Sequence, residues 1–348
     1  MFKTIITDES TRISNPKTQT SQNLCSIKCE KRIALTGTPI SNSPVDIYGI
    51  FNWMIPGYLG TYAQFKKKYI ATEDSGWGYS KVTGFQNLAV LSEKVGRFML
   101  RRTKEEVFTD FPPKTVENII FTLSESERKM YTLIKEQVLD EIKKLGDLDT
   151  RTLGIIPVKM LRLLQCTGST ELVGADKRES TKLDTLKELI APIFASGEKV
   201  IIFTKFTEML HIIKREIEKY NPYVIYGDID SENRMKTIQE FNNKDGGAVI
   251  IMSDAGAWGF NMSSASYVIN FDLPWSASKY EQRIGRAHRI GQKKPVTIYN
   301  LIAQKTIDDY ISSVLLKKYQ ISANILQDVE RMENAGLSIE DINAILNL

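Results

Sequence analysis

Five short apolar segments, Val200–Phe203, Tyr223–Tyr226, Ala248–Met252, Tyr267–Phe271 and Val296–Leu301, follow Gly197, and helical stretches separate most of them. Segments that are apolar at nearly every position have no face to offer water, so they read as strands covered on both sides. Strand and helix in alternation then predict a parallel sheet clothed by helices, an α/β architecture.

The opening of the chain repeats the theme once. Phe2–Thr7 is apolar and β-branched, reads as a buried strand, and delivers Asp8 and Glu9 at its carboxyl end. Arg32–Leu35 reads as a second strand of the same sheet. It stops at Thr36-Gly37-Thr38-Pro39, where glycine and proline force a turn and leave hydroxyls at its tip. From about Pro44 to Ser180 the pattern is one of helices and loops, with aromatic residues Tyr48, Phe51, Trp53, Tyr58, Phe65 and Tyr69 read as packing. Ser124 with Glu127 forms a capping box ahead of an amphipathic stretch, Arg128 to Leu145. The tail from Thr306 reads as helical, and Ser338 with Asp341 as the cap of a last helix.

With 348 residues, 42% of them hydrophobic, the chain holds enough apolar material for about two domains. The formal net charge of +4 permits a polyanionic partner without requiring one. Cys25, Cys29 and Cys166 are too few and too irregularly spaced for a zinc site or a disulfide framework, and the first two read as ordinary helix residues. No run of eighteen apolar residues and no basic-then-apolar leader is present. The expectation is a soluble protein of a reducing, intracellular compartment with no membrane partner.

Two constellations carry chemistry. Asp8-Glu9 at a strand end suits a nucleotide hydrolase, in which one carboxylate holds magnesium and its neighbour acts on the attacking water. Acidic pairs also serve as plain turn residues. Gln282, Arg286 and Arg289 stand four and three residues apart, on one face of a helix. Two guanidinium groups aimed the same way suit the spread charge of a transferring phosphoryl group, and a solvated basic helix is the bland alternative. His288, between them, reads as structural.

Together these pieces resemble a family. Asp8-Glu-Ser-Thr-Arg-Ile-Ser-Asn15 resembles motif II of superfamily-two helicases, and Leu35-Thr-Gly-Thr-Pro39 resembles motif III, with Ile40 to Met54 continuing in the manner of Swi/Snf-type ATPases. Phe98-Met-Leu-Arg-Arg-Thr103, Phe111-Pro-Pro-Lys114, Ile202-Phe-Thr-Lys-Phe206, Ser253-Asp-Ala-Gly-Ala-Trp-Gly-Phe-Asn261, Asp272-Leu-Pro-Trp275 and Gln282 to Gln292 follow in the family's order. The resemblance implies a partial first RecA-like domain over 1–120, a helical insertion or bridge over 121–180, a complete second RecA-like parallel-sheet domain over 181–310 and a helical tail over 311–348. It implies ATP and Mg2+ as cofactors and double-stranded DNA as partner, in whose company the protein would reside.

Carried over residue by residue, the resemblance gives Asp8 the magnesium and Glu9 the water. Arg286 and Arg289 would reach the phosphates across the cleft between domains, with Gln282 helping to position them and Gly259 and Asn261 beside the nucleotide. Thr36, Gly37 and Thr38 would couple nucleotide state to the bound strand, while Thr204, Lys205, Gly256 and Trp275 would line the cleft and the phosphate-backbone track. Such a motor touches phosphates, not base edges, so no sequence specificity is expected.

The pattern also departs from the family. The phosphate-binding loop ending in Gly-Lys-Thr or Gly-Lys-Ser has no counterpart, because none of the 21 glycines is followed by lysine. With seven residues ahead of Asp8, the first domain is expected to be partial, to leave apolar faces and backbone groups unpaired, and to need a separate chain carrying the loop. Asp254 stands where a basic residue is frequent and Ala257 where glycine is frequent. The aspartate weakens a phosphate contact or is a solvent-facing loop carboxylate. Two functions follow: the carboxyl-terminal portion of a DNA-dependent ATPase that moves on duplex DNA, or an ATPase-inactive remnant that binds nucleic acid or a partner.

Overall fold

A computed structural model describes residues 2–37, 39–40, 44–74, 80–102, 104–108, 110–144, 160–175, 178–254 and 260–316. The chain divides into two compact units, one built chiefly on the residues up to Arg102 and the other beginning at Thr103.

In the first unit β1 (Phe2–Thr7) runs parallel to β2 (Cys29–Ala34), with Ile6 opposite Ile33. One face of this pair is covered: Ile5 and Ala34 pack with Ile13, Ile50 and Trp53. The other is bare, with Phe2 64%, Ile6 60% and Ile33 45% exposed. The buried strand expected at Phe2–Thr7 is therefore in place but not buried. Among the described residues this sheet has two strands and helices on one side only.

Three helices, Val45–Met54, Tyr62–Tyr69 and Leu88–Gly96, build a separate aromatic core from Tyr48, Phe51, Phe65, Tyr69 and Leu91. Beside it β3 (Ile70–Asp74) and β4 (Ser80–Phe85) form an antiparallel hairpin in a stretch that reads as helix and loop. Cys25 lies in the helix Gln19–Ser26, whereas Cys29 opens β2 and its Sγ accepts from Arg32 Nε at 3.3 Å.

The second unit holds a six-stranded, all-parallel sheet in the order β5-β10-β9-β6-β8-β7. Its strands are β5 (Lys114–Phe121), β6 (Lys199–Thr204), β7 (Tyr223–Ile225), β8 (Ala248–Ser253), β9 (Tyr267–Asn270) and β10 (Val296–Ala303). β6 and β8 are buried at every position, as their unbroken apolar runs require. Leu186 and Ile190 of the helix Thr181–Ala195, with Leu210 and Ile213 of the helix Thr207–Glu216, belong to that core. Each such side chain contributes about 1.5–3 kcal/mol by leaving water.

β5 corrects the expected boundary at 120. It pairs along its whole length with β10, Lys114 opposite Val296 and Phe121 opposite Ala303, so it belongs to the second unit. The capping box at Ser124 is formed, with Glu127 Oε2 accepting from Ser124 N at 2.9 Å and Ser124 Oγ from Glu127 N at 3.2 Å. The helix it opens, Glu125–Lys144, is tied into the second unit: Glu127 Oε1 accepts from Thr181 N and Tyr131 OH from Ile307 N, both at 2.9 Å. Within the same unit a buried Lys182–Asp308 pair at 2.6 Å joins the helix Thr181–Ala195 to the segment after β10. The cap expected at Ser338 and Asp341 lies outside the described residues.

Candidate functional site

Asp8 and Glu9 leave the end of β1 in a tight turn. Asp8 Oδ1 accepts from Glu9 N at 2.8 Å, and Glu9 stands in the left-handed region with φ 49° and ψ 49°. A non-glycine residue held there is strained, and such strain gathers at working sites. Ser10, which sequence reasoning passed over, fastens the turn. Its hydroxyl lies 2.8 Å from Thr7 Oγ1 and 3.0 Å from Leu35 O, and its amide donates to Leu35 O at 3.0 Å. The carboxylate pair is thereby held beside the end of β2, where Thr36 and Gly37 follow. Thr38 lies outside the described residues.

Gly49 is the second residue missed. A Cβ there would meet Ser14 O at 2.0 Å and Ile13 O at 2.4 Å, so only glycine lets the helix Val45–Met54 lie against the turn behind the carboxylates. Asp8 is exposed, with its carboxylate at the tip of the strand. Magnesium keeps several waters and takes one or two carboxylates besides phosphate oxygens, and a single aspartate at a strand tip fits that requirement. Among the described residues no group of three or more metal-ligating side chains is present.

In the second unit the helix Ala277–Ala287 carries Gln282 and Arg286 but ends before Arg289, which stands in the following turn. The expectation of one continuous helical face is corrected to that extent. The two guanidinium groups nevertheless converge, since Nη1 of Arg286 and Nη1 of Arg289 each lie 3.3 Å from Phe260 O. His288 is structural, as read: it is buried, its Nε2 lies 2.8 Å from Pro112 O, and its ring packs 4.4 Å from that of Phe111.

Between these arginines and the sheet lies a residue the sequence reading did not single out. Arg283 is buried, with Nε donating to Asp254 Oδ1 at 2.7 Å and Nη1 to Asp272 O at 2.6 Å and Asn270 Oδ1 at 3.1 Å. Its guanidinium also lies 5.3 Å from the Phe203 ring centroid. Asp254 is thus neither a free loop carboxylate nor aimed at a phosphate. It is the partner of Arg283.

The amide chain continues across the sheet. Asn270 Nδ2 donates to Asn300 Oδ1, and Asn300 Nδ2 to Asn118 Oδ1, both at 2.9 Å. Asn300 Nδ2 also lies 3.0 Å from Tyr280 OH. Burial pushes the Asp272 carboxyl up, while Arg283, the Thr204 hydroxyl at 2.6 Å and the Lys205 amide at 2.9 Å draw it back.

This corrects Thr204. It is fully buried and its hydroxyl is committed to Asp272, so it lines no strand track. The Lys205 ammonium is held below the usual lysine range, first by burial and against the pull of Asp272. Asn261 Oδ1 accepts from Ser263 N at 3.1 Å and shapes the turn ahead of β9. Trp275 packs 6.2 Å from the Tyr310 ring. Gly256 and Gly259 lie outside the described residues.

The carboxylate pair belongs to the first unit and the convergent arginine pair to the second, and both are residue types that phosphoryl-transfer chemistry uses. Residues 2–168 match the SNF2-related domain, and residues 181–291 match the helicase conserved C-terminal domain. The chain belongs to the SNF2-related, helicase-like proteins.

It is 28% identical over 337 residues to an uncharacterized ATP-dependent helicase of Mycoplasma pneumoniae, covering 96% of this chain and 32% of the relative. It is 29% identical over 336 residues to the putative ATP-dependent helicase/translocase YwqA of Bacillus subtilis, covering 94% of this chain and 36% of the relative. The chain therefore spans about a third of the length of these curated relatives. Among solved structures it is similar to the Sulfolobus solfataricus SWI2/SNF2 ATPase core in complex with dsDNA, with a TM-score of 0.56 and 29% identity, over 99% of this chain and 73% of that one.

Proposed function

We propose that this chain is the carboxyl-terminal portion of a DNA-dependent ATPase that moves along duplex DNA, and that a segment carrying the phosphate-binding loop completes it. The observation that carries the reading is the convergence of Arg286 and Arg289 on one carbonyl, Phe260 O, which gathers two permanent positive charges at one point. Charge spread over a transferring phosphoryl group is what such a pair stabilises. Asp8 would hold Mg2+, which neutralises phosphate charge when bound. Glu9, held rigidly beside it, would orient the attacking water, and Gln282 would keep the arginines in place. Thr36, Gly37, Gly256, Trp275 and Lys205 would face the duplex backbone.

The bare face of the β1–β2 pair supports the need for a completing segment. Phe2, Ile6, Ile33 and Leu35 together expose an apolar strip that a further layer of the same domain would cover. The test is magnesium-dependent ATP hydrolysis, with and without duplex DNA, by this chain alone and after addition of a polypeptide bearing the loop. Duplex-stimulated turnover on addition, lost in Arg286→Ala, is the expected result. Absence of turnover in both settings with duplex binding retained would make the chain a nucleic-acid-binding remnant instead.

A further inference from the structure

Two stretches of the first unit depart from the near-balance of charge in the rest of the chain. Between Glu9 and Glu30, and again between Asp46 and Glu73, there is no carboxylate at all, yet Arg12, Lys17, Lys28, Lys66, Lys67 and Lys68 fall within them. The chain as a whole has 42 acidic residues in 348, so the gap is local and not a property of the composition.

The fold brings the two stretches together on one ring. Lys17 Nζ lies 5.9 Å from the Tyr62 ring centroid and Lys66 Nζ lies 5.3 Å from it. Lys67 and Lys68 continue from Lys66 at the end of the helix Tyr62–Tyr69, and all four lysines are exposed. Around Lys17 the surface is amide and hydroxyl: Asn15, Thr18, Gln19, Gln22 and Asn23 are exposed and uncharged.

Lysines at a helix C-terminus favour the macrodipole, which would explain one or two of them. It does not explain Lys17, which arrives from a different turn. Some cations of the second unit are paired within the chain. There Arg215 is forked onto Glu171 at 3.1 and 2.7 Å, and Lys187 meets Glu216 at 2.8 Å. Among the described residues, none of Lys17, Lys66, Lys67 and Lys68 makes an ion pair.

We infer that Lys17 and Lys66, which meet over Tyr62, together with the adjoining Lys67 and Lys68, form a contact surface for the phosphate backbone of duplex DNA, separate from the residues that hydrolyse nucleotide. The choice of DNA as the polyanion rests on the reading proposed above. The chemistry is that of a positioning contact: exposed ammonium groups with amides and hydroxyls between them engage phosphate and carry no base readout. Each lysine that neutralises a phosphate releases a counterion, so the surface has a quantitative signature in salt.

The experiment is binding of this chain to a duplex of arbitrary sequence across a salt series, for the wild type, for Lys66→Gln/Lys67→Gln/Lys68→Gln, for Lys17→Gln, and for Lys129→Gln as a control on an ion-paired lysine. The slope of log affinity against log salt should become shallower by about 0.9 for each contacting lysine removed, so by nearly 3 for the triple variant, and should not change for the control. Unchanged slope and affinity in the triple variant, or no binding by the wild type, overturns the surface. Lysine dependence seen with heparin but not with duplex overturns its assignment to nucleic acid. Lysine-dependent duplex binding, with no turnover when the loop-bearing polypeptide is added, leaves the surface standing and removes the motor. Duplex-stimulated turnover with an unchanged slope does the reverse.

Discussion

The parallel sheets of the two units both carry β-branched strands and end in different states. β6 and β8 are buried at every position, whereas the outward face of β1 and β2 leaves Phe2, Ile6 and Ile33 largely in water. All four strands are short and parallel to a neighbour, and β1, β6 and β8 are rich in β-branched residues, whereas β2 carries three charged side chains. What differs, among the described residues, is cover: the second unit has helices and neighbouring strands around β6 and β8, and the first has helices on one face of its pair. Strand-forming sequence settles where a strand is, but burial is settled by what the rest of the chain brings to it.

The sharpest way to break the comparison is to unpair the buried centre of the second unit. Arg283→Ala would leave Asp254 and the buried Asp272 without their cation, and should cost about 3–5 kcal/mol, read by denaturant unfolding followed in the near-UV. A loss below about 1 kcal/mol would mean that the network is peripheral to stability.

Next in size, Gly49→Val drives a side chain into the Ser14 and Ile13 carbonyls. It should cost about 1–3 kcal/mol, because backbone cannot step aside as a side chain can. Proteolysis confined to the first unit would report it, and an unaltered digestion pattern would contradict the close approach. Ile6→Ser should behave in the opposite way to a core substitution. It should change the stability of the isolated chain by no more than about 0.5 kcal/mol, while weakening complementation by the loop-bearing polypeptide in a turnover assay. A large loss of stability would show that the face is not bare.

The smallest effect is one of pH. Hydrogen bonding from Arg215 holds the Glu171 carboxyl below its ordinary value. A carboxyl depressed on folding adds stability above its unfolded value, near 4.3, and loses it as the pH falls through the acid range. For so exposed a pair the contribution is a fraction of 1 kcal/mol. Glu171→Gln should lower the melting temperature slightly at neutral pH, flatten that part of the acid limb, and converge with the wild type at low pH.

Much of this was legible in the sequence. The five apolar runs after Gly197 became β6 to β10, the strand before Asp8 lies at Phe2–Thr7, and the capping box at Ser124 is formed. β5 was not foreseen because Glu117 and Asn118 interrupt its apolar run, although the two prolines at 112 and 113 followed by Val116, Ile119 and Ile120 were a usable sign. The hairpin Ile70–Phe85 carries charge and glycine where strands usually do not.

Of the site, the side chains that point at chemistry could be named, but those that hold them could not. Ser10, Gly49 and Arg283 act through contacts 25, 35 and 29 residues away in sequence, which no local spacing reveals. Thr204 misled for the same reason: its partner, Asp272, lies 68 residues on.

The amide chain from Arg283 through Asn270 and Asn300 to Asn118 has a direction. A guanidinium has no acceptor, so Asn270 must turn its oxygen toward Arg283, its amino group toward Asn300, and so on to the sheet edge. No member can reverse alone, and an aspartate at any internal place would set two acceptors face to face. These positions sit on four separate segments of chain, so a change at an internal one has to be answered by its neighbour.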